Sequence, residues 1–143
     1  MQVKFYDAVD DNLLKFAVII SKTNGKWVFC KHKERDTYEV PGGHREYGER
    51  IIDTAKRELK EETGAIAFSI KPVCVYSVVG KTRVNVTGEE TFGMLYFAEI
   101  EKLEAQLHSE IEKVVLLDEL PKEWTYPLIQ PLLIEEYERR SEA

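Results

Sequence analysis

Residues 43–65 read GHREYGERIIDTAKRELKEETGA, and the fold of this chain is predicted from this stretch. Glu58, Glu61 and Glu62 stand at positions i, i+3 and i+4. On an α-helix, the second and third carboxylates lie about 60° and 40° from the first around the axis. Three negative charges on one face repel one another and destabilise the helix. A hard divalent cation with oxygen ligands would offset this repulsion, whereas a solvated charged face is the ordinary alternative.

The residues around the acidic face predict a glycine turn followed by a helix over residues 50–63. Gly42 and Gly43 follow Pro41, and paired glycines let the backbone turn sharply and approach a ligand closely. Gly64 is placed to end the helix. Apolar residues at helical spacing predict a side that packs on a core, and these are Ile52, Ala55 and Leu59.

This segment resembles the Nudix box of the Nudix (MutT-like) hydrolases, whose pattern is G-x5-E-x7-R-E-U-x-E-E-x-G-U, where U is a bulky apolar residue. The seven fixed positions are filled by Gly43, Glu49, Arg57, Glu58, Glu61, Glu62 and Gly64. Leu59 fills the first U, whereas Ala65 stands at the last U, where a larger aliphatic residue is usual. The departure concerns local packing and leaves the acidic residues of the pattern intact.

The resemblance implies an α/β (α+β) fold of the Nudix type, an α-β-α sandwich with a mixed, partly curled sheet and a loop-helix-loop box. The periodicity along the chain agrees with that class. Asn24-Gly25 lies between apolar, β-rich runs at residues 13–22 and 26–32, which predicts a hairpin. The other predicted elements are strands at residues 67–80, 91–100 and 111–117 and an amphipathic helix at residues 127–140.

The composition is that of one soluble domain. The 143 residues are 43% hydrophobic and 32% charged, so residues 1–143 are expected to form a single Nudix domain with its box at 43–65. The net charge of −6 argues against binding to a nucleic-acid polymer. The longest apolar run is too short to span a membrane and no secretory signal pattern is present, so a cytoplasmic location is expected. Cys30 and Cys74 are interpreted as buried free thiols.

The chemistry that the resemblance implies is hydrolysis of a nucleoside diphosphate linked to another moiety, with Mg²⁺ or Mn²⁺ as the cofactor. The metal ligands implied by position are Glu58, Glu61, Glu62 and the carbonyl of Gly42. The box arginine, Arg57, is expected to pair with box carboxylates and fix their orientation. Glu58, Glu61 and Arg57 are therefore the catalytic candidates within the box, and Glu49 is interpreted as structural or as an outer ligand.

The general base is left open, because some Nudix enzymes use a box glutamate such as Glu58 and others use one from a loop outside the box. The loop candidate here is Glu110, which is favoured over Glu112 and comes just before the strand predicted at 111–117. Two surface glutamates flanking a strand are the alternative. Clustered carboxylates titrate together, so at least one is expected to keep its proton above the usual Glu pKa when no metal is bound.

Cationic residues near the glycine turn are candidates for binding substrate phosphates. Lys33, Arg35 and Arg45 flank the approach to the turn, and their side chains can hold a polyphosphate. Solubilising charge at a strand end is the alternative for each. The three histidines are scattered without zinc-site spacing, although His44 in the box loop is placed to approach a phosphate.

The substrate subgroup is predicted by elimination. ADP-ribose hydrolases of the family tend to carry a proline beyond the box, and residues 79–83 contain none. Dinucleoside polyphosphate hydrolases tend to carry a tyrosine there, and Tyr76 lies too early. The expected enzyme, a monomer or homodimer, converts a small-molecule (d)NTP or an oxidised guanine nucleotide into the monophosphate and pyrophosphate. The alternatives are a non-catalytic nucleotide-binding module and a hydrolase of ADP-ribose or dinucleoside polyphosphates.

Overall fold

A mixed β-sheet with a helix on each face is the architecture of the computed structural model, which describes residues 1–81, 86–104 and 111–142. The strands are β1 (Gln2–Tyr6), β2 (Leu14–Thr23), β3 (Lys26–His32), β4 (Gly42–His44), β5 (Ala65–Val79), β6 (Thr91–Leu103) and β7 (Ile111–Leu117). The helices are α1 (Ile51–Thr63) and α2 (Gln130–Ser141), and a 3₁₀ turn at Asp11–Leu13 precedes β2.

The sheet has the strand order β1-β5-β6-β2-β3-β7, and β4 pairs with β2 beside this path. The pairing of β2 with β6 is parallel, and the other pairings are antiparallel. The predicted mixed sheet is therefore confirmed. In the β2–β4 pair, Gly42 lies opposite Val18 and Gly43 lies opposite Ala17, so the sheet itself positions the glycine pair.

β2 contributes to a separate core on each face of the sheet, because successive side chains of a strand point to opposite faces. Ile19 is buried on the face that Leu59 of α1 covers. Ile20 is buried on the other face, where it belongs to the same core as Leu133 of α2. Complete burial of each such side chain contributes about 1.5–3 kcal/mol. The two cores confirm the α-β-α sandwich, with the box helix on one side of the sheet.

The box helix, α1, follows its prediction within one residue. It begins after Arg50, whose backbone N–H donates to the carboxylate of Asp53 at 3.2 Å. It ends at Gly64, which adopts the left-handed conformation with φ of +76° and donates its N–H to the carbonyl of Lys60. A residue with a side chain is strained in that conformation, which explains why glycine ends the helix.

The other predicted elements are also present, with shifts at their ends. Asn24 and Gly25 both have positive φ and connect β2 to β3 as a tight hairpin. α2 begins at Gln130, with Pro131 in its first turn, where a proline is tolerated. Cys30 and Cys74 are buried free thiols, as expected.

Two strands, β1 and β4, are not predicted by the sequence patterns. β4 contains two glycines, which have low strand propensity, and it forms because β2 offers a hydrogen-bonding edge. β1 is short and alternates Val3 and Phe5, which pack partly buried against the core on the α2 face. Neither helix in the described residues is long and apolar enough to cross a membrane.

Candidate active site

β4 presents one edge of its backbone to the box helix. The residues that directly precede and follow Gly42 and His44 in the sequence form the backbone hydrogen bonds to β2. Alternate residues of a strand direct their N–H and C=O groups to the opposite side. Accordingly, the N–H of Gly42 donates to Oε1 of Glu62 at 2.8 Å, and the carbonyl of His44 accepts from Nη2 of Arg57 at 3.0 Å. The carbonyl of Gly42 lies on the same side of β4, which is the side that faces the box helix.

Glu58 stands directly against Gly43. A Cβ atom built on Gly43 would lie 2.8 Å from Oε2 of Glu58 and would overlap its Oε1 and Cδ. Any side chain at position 43 would therefore occupy the space of the Glu58 carboxylate. Glycine is required here for close approach, which is the reason the pattern of the box includes it.

Arg57 joins the box loop, β4 and α1. Its Nε donates to Oε2 of Glu49 at 2.7 Å, and its Nη1 donates to Oε1 of Glu58 at 2.7 Å. Nη2 donates to the carbonyl of His44 and to Oε1 of Glu49. Arg57, followed by a backbone N–H and the hydroxyl of Thr54, lowers the pKa of Glu49 to about 2. In this geometry Glu49 anchors the arginine, and the arginine orients Glu58.

The three box carboxylates have different surroundings. The side chains of Glu58 and Glu62 are 13% and 10% exposed, whereas that of Glu61 is 52% exposed and lies 3.6 Å from Nη1 of Arg57. In the described part of the chain, one set of three side chains places its possible metal-ligand atoms within 4.8 Å of one another. The set consists of His32, Glu39 and Glu62. Glu58, Glu61 and Glu62 do not meet this criterion as a set within the described residues, and their joint role as metal ligands stays a prediction.

Two acidic residues of the site, Glu58 and Glu39, have pKa values above the usual range. Burial, together with the negative charge of Glu62, raises the pKa of Glu58 to about 7 against the opposing effect of Arg57. Burial also raises the pKa of Glu39, and the charge of Glu62 adds to that shift. The direction of these pKa shifts agrees with the expectation that at least one carboxylate keeps its proton in the absence of metal. A cation that bound here would displace protons.

A cleft of about 260 Å³ opens beside these groups. Its polar part includes Gly42, Gly43, His44 and Glu62, which all belong to β4 or α1. Its apolar part contains the aromatic rings of Phe16, Tyr76 and Tyr126. The cleft therefore combines a region suited to a metal-bound polyphosphate with a region suited to a flat, apolar group such as a nucleobase.

The three predicted substrate-binding cations are not brought together. Arg35 lines the cleft and donates from Nη1 to Oε1 of Glu39 at 3.1 Å. Arg45 instead binds the carboxylate of Asp11 and several backbone carbonyls, which ties the box loop to the start of β2. Lys33 is exposed and is not among the residues that line the cleft. Arg35 is thus the member of this set that lines the cleft.

The candidate base outside the box, Glu110, lies outside the described residues and stays a prediction. The side chain of its alternative, Glu112, also lies outside the described part of the structure. The box carboxylates are therefore the candidate bases whose geometry is known.

His32 and Glu39 are site residues that the sequence reasoning missed. His32 is the last residue of β3, and Glu39 reaches it because residue 39 forms an isolated bridge with Cys30 of the same strand. Glu62 comes from the last turn of α1. Separations of seven and twenty-three residues form no recognisable motif, and no local signal in the sequence indicates this cluster.

Comparison with known proteins identifies relatives over most of the chain. The NUDIX domain family matches residues 12–135. The Bacillus subtilis (strain 168) protein YtkD, described as a candidate 8-oxo-dGTP diphosphatase, is 40% identical over 123 residues, which are 85% of this chain and 73% of YtkD.

Solved structures with the same fold include the Bacillus subtilis pyrophosphohydrolase BsRppH, in a mutant form, with a TM-score of 0.77 and 32% identity. The match covers 96% of this chain and 89% of that one. A NUDIX hydrolase from Nitrosomonas europaea gives a TM-score of 0.70 at 20% identity, with 88% of this chain and 89% of that one covered. The second likeness concerns the fold alone.

The contact between Gly43 and Glu58 predicts that Gly43→Ala displaces the carboxylate and impairs catalysis. A misplacement of about 1 Å costs on the order of 100-fold in rate, so a loss of about that size in kcat/KM is expected for hydrolysis of a nucleotide pyrophosphate bond. Gly25→Asn is the matched control, because a Cβ there meets nothing within 4 Å and asparagine tolerates positive φ. A folded Gly43→Ala protein with wild-type kcat/KM would contradict the proposed contact.

The raised pKa of Glu58 predicts that the free energy of unfolding of the metal-free protein decreases as the pH rises. The native state binds more protons than the unfolded state between the usual value near 4.5 and the native value near 7. The contribution of this group is therefore fully present below about pH 4.5 and is lost as the pH rises through 7. Relative to Glu58→Gln, which cannot ionise, the wild type should lose about 1–3 kcal/mol of unfolding free energy between pH 5 and pH 8. Urea unfolding with EDTA measures this difference, and a pH-independent difference would refute the prediction.

Proposed function

The chain belongs to the Nudix family of hydrolases, and from that premise we propose that it converts a nucleoside triphosphate into the monophosphate and pyrophosphate. We propose a (d)NTP or an oxidised guanine nucleotide as the substrate. The observation that carries this proposal is the cleft, which is lined both by Glu62 of the box and by the aromatic rings of Phe16, Tyr76 and Tyr126. A nucleotide has the matching distribution of groups, with a polyphosphate at one end and a flat base at the other.

The residues of the box fit Mg²⁺ or Mn²⁺. Hard divalent cations prefer oxygen donors, and the proposed donors are Glu58, Glu61, Glu62 and the carbonyl of Gly42. The missing side chain at Gly43 leaves Glu58 against the glycine backbone. Burial, together with the negative charge of Glu62, raises the pKa of Glu58 to about 7 although Arg57 opposes the shift. When bound, such an ion neutralises charge on the phosphate oxygens and lowers the pKa of water.

The remaining chemistry is assigned to side chains of this chain. Arg57 holds Glu58 in position through its contacts with Glu49 and the carbonyl of His44. A carboxylate accepts the proton of the attacking water, and Glu58 is the candidate within the box, with Glu61 beside it. Arg35 contributes positive charge to the wall of the cleft. Glu110 stays the alternative base outside the box.

The substrate class is supported by two independent observations. The apolar part of the cleft contains Phe16 and Tyr76, whose ring centroids lie 5.5 Å apart, so a base would contact aromatic surface there. A Cβ on Gly93 would overlap the ring of Phe16, so glycine at this position lets the ring occupy its place in the wall. The likeness to YtkD, described as a candidate 8-oxo-dGTP diphosphatase, favours an oxidised guanine nucleotide.

A product-resolved assay tests this function. The purified protein is incubated with nucleoside tri- and diphosphates, 8-oxo-dGTP, ADP-ribose, dinucleoside polyphosphates and nucleotide sugars, each with Mg²⁺ and with Mn²⁺. We expect pyrophosphate and a monophosphate from a triphosphate. Glu61→Gln should lower kcat by about 10²-fold or more, while Glu101→Gln, an exposed residue of β6, should leave kcat unchanged.

Three outcomes would overturn the proposal. Orthophosphate as the sole product would show that a different bond is cleaved. Activity confined to ADP-ribose, dinucleoside polyphosphates or nucleotide sugars would refute the substrate class. An equal, metal-independent background in the wild type and in Glu61→Gln would favour a nucleotide-binding module without catalysis.

A further inference from the structure

We propose that His32, Glu39 and Glu62 form a site for a divalent first-row transition ion at the wall of the cleft. The site differs from the proposed magnesium ligands because it supplies an imidazole nitrogen. This proposal rests on the proposed function only through Glu62, which belongs both to the proposed magnesium ligands and to this site. Its residues come from the end of β3, from the segment that bridges to Cys30, and from the last turn of α1.

The ligand atoms already have the separations that a metal ion requires. Nε2 of His32 lies 3.3 Å from Oε2 of Glu62 and 3.5 Å from Oε2 of Glu39. Ligands about 2.1 Å from an ion in tetrahedral geometry lie about 3.4 Å from each other. All three atoms lie within 4.8 Å of one another. Small side-chain movements would therefore suffice to bind an ion.

Each carboxylate is oriented by a contact outside the cluster. Oε1 of Glu39 accepts from Arg35, and Oε1 of Glu62 accepts from the N–H of Gly42. The second oxygen of each, Oε2, is the atom that faces His32. Anchoring one oxygen while the other points at a common centre is the arrangement by which outer contacts orient metal ligands.

Burial of the two carboxylates favours the binding of a cation beside them. Glu39 and Glu62 are 6% and 7% exposed, and buried negative charges are stable only when paired or bound to metal. Arg35 faces Glu39, and His32 faces both carboxylates but is a cation only when protonated. The cleft leaves one side of the cluster open to water or to a phosphate oxygen.

The donor set selects the class of ion. One imidazole with two carboxylates suits Mn²⁺, Fe²⁺, Co²⁺ or Zn²⁺, whereas Mg²⁺ prefers oxygen ligands alone and retains several waters. The cleft would thus accept two chemically different ions, and a nitrogen ligand would report which of the two sites a paramagnetic ion occupies.

Pulsed electron paramagnetic resonance of the Mn²⁺-loaded protein tests this site directly, because a coordinated imidazole nitrogen modulates the Mn²⁺ echo. We expect ¹⁴N modulation in the wild type and its loss in His32→Gln. His44→Gln is the matched control, since His44 lines the same cleft but does not belong to the cluster. It should retain the modulation.

Glu39→Gln keeps the imidazole and removes one anionic ligand. It should lower Mn²⁺ affinity by about tenfold or more, measured by the free Mn²⁺ signal, and circular dichroism verifies that both variants are folded. Modulation that is absent from the wild type, or that persists in His32→Gln, would overturn the proposal and would leave His32 as a cation that bridges two carboxylates. Pyrophosphate release with Mg²⁺ is measured on the same samples, so failure of the proposed function is detected separately.

Discussion

The hydrogen bonds of Arg57 are the interaction on which the arrangement of the site depends. One guanidinium binds Glu49 from the box loop, Glu58 from α1 and the carbonyl of His44 from β4. Other hydrogen bonds join these elements in pairs, from Gly42 to Glu62 and from Thr54 to Glu49, whereas Arg57 contacts all three. Charge-assisted bonds of this kind are among the strongest in proteins, and loss of the arginine would remove the cation that binds the carboxylates of both Glu49 and Glu58. The box loop, β4 and α1 are therefore held together as one structural unit.

The second constraint is the close approach of β4 to α1. Because Gly43 has no side chain, the carboxylate of Glu58 lies against the strand, and because Gly42 is a member of the same strand, its N–H reaches Glu62. The sheet fixes the strand through β2, and the core beneath Leu59 fixes the helix. The acidic groups are thus held by a strand of the sheet and by a helix packed on the core, and placement on such elements favours preorganised metal binding.

The box helix and the β2–β3 hairpin were predictable because their signals are local. Acidic and apolar residues repeat at helical spacing up to Gly64, and Asn24-Gly25 separates two apolar runs. By contrast, β4 arises from pairing with β2 against the low strand propensity of glycine. The approach of His32 to Glu39 and Glu62 depends on tertiary contacts between distant segments, so no spacing rule could indicate it. Charge alone also could not indicate that Arg45 hydrogen-bonds to the backbone and the carboxylate of Asp11.

The most direct measurement is anomalous scattering from crystals grown with Mn²⁺ and a non-hydrolysable nucleoside triphosphate. If the glycine strand and the box helix together hold a metal-assisted phosphate site, a manganese peak will lie within ligand distance of the Glu58 carboxylate and the Gly42 carbonyl, next to the polyphosphate. Absence of a peak between these groups, with the nucleotide bound and Glu58 directed into solvent, would contradict it.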